Sequence, residues 1–299
     1  MTILITGASG LIGSHLCKRL AYMGYPVIGL IHKNQPRLSM LPACEPVELV
    51  RYDIRDHHQV ATIVKRYAIK TVFHFAAHLP STDNPDFIKV NVIGTSNLLD
   101  ICYREKVEHF IYASSMSVYS APPIRIPVDE AHPTRPDDDY GRTKLIGELL
   151  CECYSRVMRT VVLRFSSVFG LGDKSRVAHH FMQSALSGQA IQVDGDGSQS
   201  SDFIYVADAV QGAILAMEKG KSGEVYNIGS GQETLVLELA NLVSGLVDPP
   251  VEGTLSGKPA TRPFRFVADI GKAGRELGYS PSSLVDGLKK YQEEMNDKR

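Results

Sequence analysis

The segment YGRTK sets a phenol and an ammonium four residues apart, Tyr140 and Lys144. That spacing stacks both side chains on one face of a helix. A free phenol titrates near 10, too high to take a proton at neutral pH, and an adjacent ammonium favours the phenolate and lowers that value. Tuned in this way, Tyr140 becomes a general acid and base for a secondary alcohol or its ketone. Upstream, the run YASSMSVYS ends in hydroxyls, and Ser115 is available to hydrogen-bond the same reacting oxygen. A tyrosine–lysine pair alone is commonly a surface feature, so its meaning depends on what else the chain positions beside it.

A second stretch with chemical capacity is TGASGLIG at residues 6–13. Gly7, Gly10 and Gly13 follow a β-branched run and precede an apolar-periodic one. In a strand–turn–helix setting such glycines let the backbone approach a pyrophosphate, and the helix amino end offers N–H groups and a favourable dipole. A tight turn that binds nothing is the plainer alternative, but the position at the first strand of the pattern described next favours a dinucleotide. An acid about 20 residues further on would bind the ribose 2′-hydroxyl of NAD. Here that stretch reads Leu30-Ile31-His32-Lys33-Asn34 with Arg37 following. His32 and Lys33 are groups that could receive a 2′-phosphate, so NADP(H) is favoured over NAD(H), although a strand-end lysine is also often just solvated. Asp53, in RYDIRD, is placed to accept from an adenine amino group or to serve as a turn or helix-cap aspartate.

The elements that must hold these groups follow a regular alternation. Ile3–Thr6, Val27–Ile31, Val47–Tyr52, Thr71–Phe75, His109–Ala113 and Thr160–Phe165 read as strands, with amphipathic stretches between them over Leu11–Tyr22, Gln59–Tyr67, Lys89–Cys102 and Tyr140–Arg156. Alternating strands and helices predict an α/β fold, a Rossmann-like doubly wound parallel sheet, and the near-continuous apolar strands fit a sheet covered on both faces. After residue 166 the pattern changes to Gly- and Asp-rich segments between short helices, then a Pro-rich passage from Asp248 to Pro263, a last strand and two helices. This predicts a dinucleotide-binding domain over 1–165 and a smaller substrate-binding α/β lobe over 166–299, with the two interleaved.

Bulk properties narrow the partners. The chain has 299 residues, 43% of them hydrophobic and 22% charged, ordinary globular proportions. A net charge of −1 and a pI near 6.8 provide no field to attract nucleic acid or an anionic membrane. No apolar run approaches the roughly 20 residues a bilayer span needs, and no secretory pattern is visible. Five scattered cysteines, an odd number, read as reduced thiols in a cytoplasmic protein. The adjacent pairs His57-His58 and His179-His180 are poorly spaced to close on one ion, so no metal site is expected.

Taken in order and spacing, TGASGLIG, DIRD, FHFAAH, NVIGT, SSMSVY, YGRTK and GDGSQSSDFIYVADAV resemble the extended short-chain dehydrogenase/reductase family, in particular its nucleotide-sugar epimerases and reductases. The likeness runs through RPFRFVADIGKAGRELGYSP near the end. It implies that the glycine turn (Gly7, Ser9, Gly10, Leu11, Ile12, Gly13) cradles a pyrophosphate, that Asp53 and Ile54 contact adenine, and that Phe75, Ala76, Ala77, Asn91 and Phe165 lie along the cofactor with His32 and Lys33. It implies Tyr140 as acid/base, Lys144 on the nicotinamide ribose, Ser115 as hydroxyl partner, and His78, Ser115, Ser167, Ser201 and Arg262 at the substrate. It also implies a homodimer through the helices of Lys89–Cys102 and Tyr140–Arg156.

Departures from the family pattern are informative. Dehydratases of this type carry an acid pair after the hydroxyl residue, where this chain has Met116 and Ser117, so 4,6-dehydration is not expected. Ser167 stands where epimerases usually have an asparagine, and Ser201 where an arginine usually meets the diphosphate. Arg262 matches a second family arginine, and Lys174 or Arg176 could compensate. The resemblance therefore implies an NAD(P)-dependent nucleotide-sugar epimerase working by transient oxidation of a sugar hydroxyl. The alternatives are an NADPH-dependent reductase of 4-keto-6-deoxy nucleotide sugars, a reductase of a non-nucleotide alcohol or ketone, and a non-catalytic cofactor sensor.

Overall fold

The structure, a computed structural model, describes residues 1–32, 47–78, 86–174, 176–260 and 265–297. The β-branched runs form β1 (Thr2–Thr6), β2 (Val27–Ile31), β3 (Val47–Arg51), β4 (Ile69–His74), β5 (His109–Ser115) and β6 (Arg159–Phe165). Between them lie α1 (Leu11–Tyr22), α2 (His57–Arg66), α3 (Thr95–Arg104) and α4 (Asp139–Tyr154). The amphipathic stretch expected from Lys89 begins as one wide π-helical turn, Lys89–Gly94, before α3 continues it. Beyond β6 follow β7 (Ser167–Phe169), α5 (Val177–Leu186), β8 (Ile191–Val193), β9 (Ser200–Ser201), β10 (Phe203–Tyr205), α6 (Val206–Lys219), β11 (Glu224–Ile228), β12 (Thr234–Leu235), α7 (Val236–Ser244), β13 (Gly253–Leu255), α8 (Gly271–Leu277) and α9 (Leu284–Asn296).

Seven strands form one sheet in the order β11-β6-β5-β4-β1-β2-β3, with every neighbouring pair parallel. Alternating side chains feed two cores: Ile3 and Ile5 face the side covered by α1 and α6, while Leu4 faces α2, α3 and α4. Strand order reverses between β1 and β4, and ligands of open α/β sheets bind at the carboxyl ends beside such a switch. The seventh strand, β11, comes from well past residue 166 and pairs with β6, Glu224 beside Val161 through Ile228 beside Phe165.

Small two-stranded pairings above the sheet build the rest: β7 with β10, β9 with β12, β8 with β13. The final strand expected after Pro263 is reduced to a single parallel bridge between Val128 and Ala268, because Val128 is bonded on both sides, its N–H to Val267 and its carbonyl to the Asp269 N–H. Asp202, fully buried, ties this region together. Its carboxylate accepts from the Ser230, Gly231 and Ala268 N–H groups at 2.6, 3.0 and 3.2 Å and from the hydroxyls of Ser230 and Ser166 at 2.8 and 3.1 Å.

Candidate active site

The glycine turn joins β1 to α1 at the switch point. Gly7 adopts a φ of +69°, and a β-carbon there would lie 2.7 Å from the Ala76 nitrogen and the Phe75 carbonyl carbon. Only glycine lets this turn close against the chain leaving β4. A β-carbon at Gly13 would fall 2.3 Å from the Gly7 carbonyl oxygen. Gly10 caps α1 with no side chain and the first turn holds no acid, so the N–H groups and positive dipole end meet no internal anion. Such a cradle fits a pyrophosphate. Ser9 is buried at its centre, Leu11 and Ile12 pack under it, and Phe75 rests on Phe165 with ring centres 5.8 Å apart.

At the ends of β2 and β3, His32 and Asp53 meet at 3.2 Å. Asp53 also accepts from the Arg55 backbone N–H at 2.9 Å and from its guanidinium at 2.7–3.0 Å, and this pairing holds the carboxyl below its usual range. The role of α2 cap falls instead to Asp56, which accepts from the Gln59 N–H. Ile54 packs against Gly94 of the π turn, whose added β-carbon would stand 3.0 Å from Ile54. Lys33 and Arg262 lie outside the described residues.

Asn91, buried in the π turn, clamps the segment after Ala76 and Ala77. Its side chain accepts from the His78 N–H at 2.7 Å and donates to the His78 carbonyl at 3.1 Å. It also donates to the Thr143 hydroxyl at 3.0 Å, which in turn donates to the Tyr140 carbonyl at 2.9 Å. The β4 exit is thereby fixed to the first turn of α4. Asp138 caps that helix by accepting from the Gly141 N–H at 2.6 Å. A β-carbon on Gly141 would sit 2.2 Å from the Ser117 carbonyl oxygen, so α4 lies directly against the 3₁₀ turn Met116–Val118 that follows Ser115. Ser115 begins this turn, its hydroxyl accepting from the Ser117 N–H at 3.1 Å.

Ser115 ends β5, Lys144 bonds to β5 at Ala113, and the Tyr140 ring lies one turn before Lys144; the neighbouring strand β4 leaves the sheet at the same edge, its exit packed on Gly7. The expected tuning does not take the expected form. Lys144, 2% exposed, donates to the Ala113 carbonyl at 2.7 Å and lies 4.9 Å from the Tyr112 ring centre and 5.8 Å from that of Tyr140. Burial pushes the Tyr140 phenol up to about 12, with the Arg176 guanidinium opposing and Asp138 adding to the rise. Burial likewise brings Lys144 down to about 8, opposed by the Glu148 carboxylate. Burial is the dominant influence on the phenol, and the Lys144 ammonium is turned towards β5.

Ser167 and Ser201 come together on neighbouring strand ends, hydroxyl to hydroxyl at 2.7 Å. The groups that the sequence does not single out are those behind the site: Thr143, His74, Glu148, Arg164 and Asp202. A glutamate four residues after Lys144 is a helical spacing that could have signalled Glu148. The others reveal themselves only through contacts distant in sequence.

A glycine-cradled switch point facing a tyrosine, lysine and serine defines a dinucleotide-dependent α/β oxidoreductase or isomerase. Residues 3–229 match the model of the NAD dependent epimerase/dehydratase family, and the chain belongs to that family of enzymes, with the extended short-chain dehydrogenase/reductase architecture. It is 30% identical to the UDP-glucose 4-epimerase of Mycolicibacterium smegmatis over 313 residues, covering 100% of this chain and 99% of the relative. It is 31% identical to a dTDP-4-dehydro-6-deoxy-D-allose reductase of Streptomyces bikiniensis, covering 96% and 94%. Among solved structures, the UDP-glucuronic acid 4-epimerase of Bacillus cereus, in complex with UDP-glucuronic acid and NAD, superposes with a TM-score of 0.89 at 30% identity over 100% of both chains.

Proposed function

We propose that this protein is a nucleotide-sugar epimerase that keeps a nicotinamide dinucleotide bound through the reaction. The observation that supports the reading is that Ser115 and Lys144 meet the carboxyl end of β5, with Tyr140 one turn before Lys144, on the same edge of the parallel sheet as the Gly7–Gly13 turn. When bound, the nicotinamide supplies hydride acceptance and return. The chain's own groups do the rest. The first-turn N–H groups of α1 hold the pyrophosphate, and Lys144 holds the ribose. Ser115 orients the sugar hydroxyl, and Tyr140 exchanges the proton at that oxygen. A phenol held protonated is suited to the return step, in which it gives its proton to a keto oxygen, and a nearby Lys144 charge eases the forward step.

NAD supports this reading better than NADP. The Asp53 carboxylate engages His32, one of the two cations that would receive a 2′-phosphate, and the Bacillus cereus epimerase structure holds NAD. The paired serines Ser167 and Ser201 offer hydroxyls where charge-assisted contacts to a diphosphate would be expected. Exposed Ile146 and Leu149 on α4 and Tyr103 on α3 support a homodimer through these helices. Free thiols at Cys17, Cys102, Cys151 and Cys153 support a cytoplasmic setting.

Incubation with UDP-glucose, UDP-glucuronic acid and dTDP-sugars, followed by NMR of the sugar products, tests the proposal. Inversion at one carbon without net consumption of added cofactor supports it. Stoichiometric oxidation of NADPH against a 4-keto sugar would assign the protein to the reductase branch instead, the branch of its Streptomyces relative.

A further inference from the structure

We propose that Glu148, one turn beyond Lys144 on α4, is the positioning residue that keeps the Lys144 ammonium charged at its station on β5, with Arg164 locking its carboxylate in place. This rests on the placement of Lys144 at the cofactor given above. Two successive residues of β5 meet two successive turns of α4: Lys144 donates to the Ala113 carbonyl, and the Ser114 hydroxyl donates to Glu148. Glu148 also accepts from Arg164 Nε at 3.0 Å and Nη2 at 2.7 Å. Arg164 is fixed from behind by the Tyr119 hydroxyl at 2.8 Å, which donates to Asn227 at 2.8 Å.

The charges make the pairing more than a structural clip. The Glu148 and Arg164 side chains are 7% and 6% exposed, and an isolated buried ion pair is often replaceable by apolar groups without loss. Here, however, a third buried charge stands one turn away. Lys144 is faced by the Tyr112 ring from β5, by His74 from β4, and by Tyr140 and Cys151 on its own helix. His74 is held neutral by burial, and neither tyrosine carries a negative charge at neutral pH. Glu148 is therefore the carboxylate that offsets the Lys144 charge, and it is itself held by Arg164. Gly147 contributes to the close approach: an added β-carbon would overlap the Tyr112 hydroxyl at 2.1 Å, so α4 can lie close on β5 only with glycine there.

Equilibrium binding of NADH, followed by fluorescence from pH 6 to 10, needs no knowledge of the sugar. Wild type should lose affinity as pH rises and Lys144 gives up its proton. Glu148→Gln should move that loss to lower pH by about one unit or more, the usual size of an opposite-charge effect at this range. Because the single variant leaves Arg164 buried without its partner, the double variant Glu148→Gln/Arg164→Met is measured beside it. It should recover thermal stability while its affinity loss stays below the wild-type pH. A double variant that regains both stability and the wild-type pH dependence would show a purely structural pair and overturn the inference. So would a single variant that folds and leaves the pH dependence in place. A wild-type chain that, freed of any copurified dinucleotide, takes up no NADH overturns the functional reading, and this inference with it.

Discussion

Lys144 lies within 5.8 Å of the Tyr140 ring centre yet gives its hydrogen bond to the Ala113 carbonyl. The lysine braces α4 on β5, and under the proposed function the proton exchange falls to the phenol. Replacing Tyr140 with Phe should lower turnover by about 10²–10⁴-fold, the range of a lost general acid/base, with NADH affinity unchanged. Replacing Lys144 with Met should lower both turnover and affinity. Parallel titration calorimetry and product NMR check the split, and a Tyr140→Phe variant with ordinary turnover would remove the phenol from the reaction.

The frame of this site was legible because its signals are local. The strand–turn–helix run at Gly7–Gly13 and the Tyr140/Lys144 spacing each lie within one or two turns of chain. Near-continuous apolar, β-branched runs alternating with helical periodicity marked six of the seven sheet strands. The seventh, Glu224–Ile228, carries only two β-branched residues and lies among Gly-rich segments, so it reads as a loop, and its pairing with Val161–Phe165 comes from tertiary contact. Tyr140 shows the same limit in its chemistry. Helical spacing reports that an ammonium is near, but not that burial outweighs it or that the ammonium is already bonded to Ala113. The Asp202 and Arg164 networks join residues tens of positions apart, and single-sequence patterning carries no trace of them.

His74 gives the fold a distinct acid sensitivity. It is fully buried, its Nδ1 meeting the Thr6 hydroxyl at 2.7 Å and its Nε2 the Thr95 hydroxyl at 2.8 Å. The Thr95 hydroxyl donates to the Asn91 carbonyl, so it accepts from the imidazole, which fits a neutral ring. Burial lowers the group from 6.5 to about 3. Between these values the unfolded chain binds a proton that the folded chain refuses, so stability falls as pH drops through that window, by at most about 1.4 kcal/mol per pH unit from this group. Urea denaturation of wild type and His74→Gln at pH 7, 6, 5 and 4.5 should show the gap between them narrowing with acid. A constant gap would mean that His74 takes up its proton alike in the folded and the unfolded chain.

Asp202 should be intolerant even of its amide. Asparagine would set an NH₂ group against N–H donors that now point at a carboxylate oxygen, orphaning two of them. At about 1–3 kcal/mol for each buried unsatisfied donor, Asp202→Asn should lose roughly 2–6 kcal/mol in chemical denaturation. Gly229 guards the same hub, since its β-carbon would stand 2.7 Å from an Asp202 oxygen. Unchanged stability would show that the surrounding loop can reorganise.

The glycine turn separates binding from folding. In Gly13→Ala the new β-carbon, 2.3 Å from the Gly7 carbonyl, must displace either the turn or the start of α1, and both supply the pyrophosphate cradle. NADH affinity should fall by at least about tenfold, equivalent to about 1.4 kcal/mol, while far-ultraviolet circular dichroism stays native. Full affinity in this variant would place the pyrophosphate elsewhere.

Helices α3 and α4 expose three large apolar side chains among their charged ones. Leu149 is 54% exposed, Ile146 42% and Tyr103 52%, and the Tyr103 and Tyr154 rings meet edge to face at 6.2 Å beside them. Ile146 and Leu149 are three apart on one face of α4, and Cys153, exposed, continues that face a turn later. A second copy would bury this strip against its own through a two-fold axis. Leu149→Asp would set a carboxylate in the middle of that contact, which an apolar interface cannot hydrate. Sedimentation velocity should then show the wild type as a pair and the variant as a single chain of 32.8 kDa, with the cofactor still bound. If the wild type sediments as a single chain at micromolar concentration, these helices face solvent in the working enzyme and the α4 strip needs another explanation.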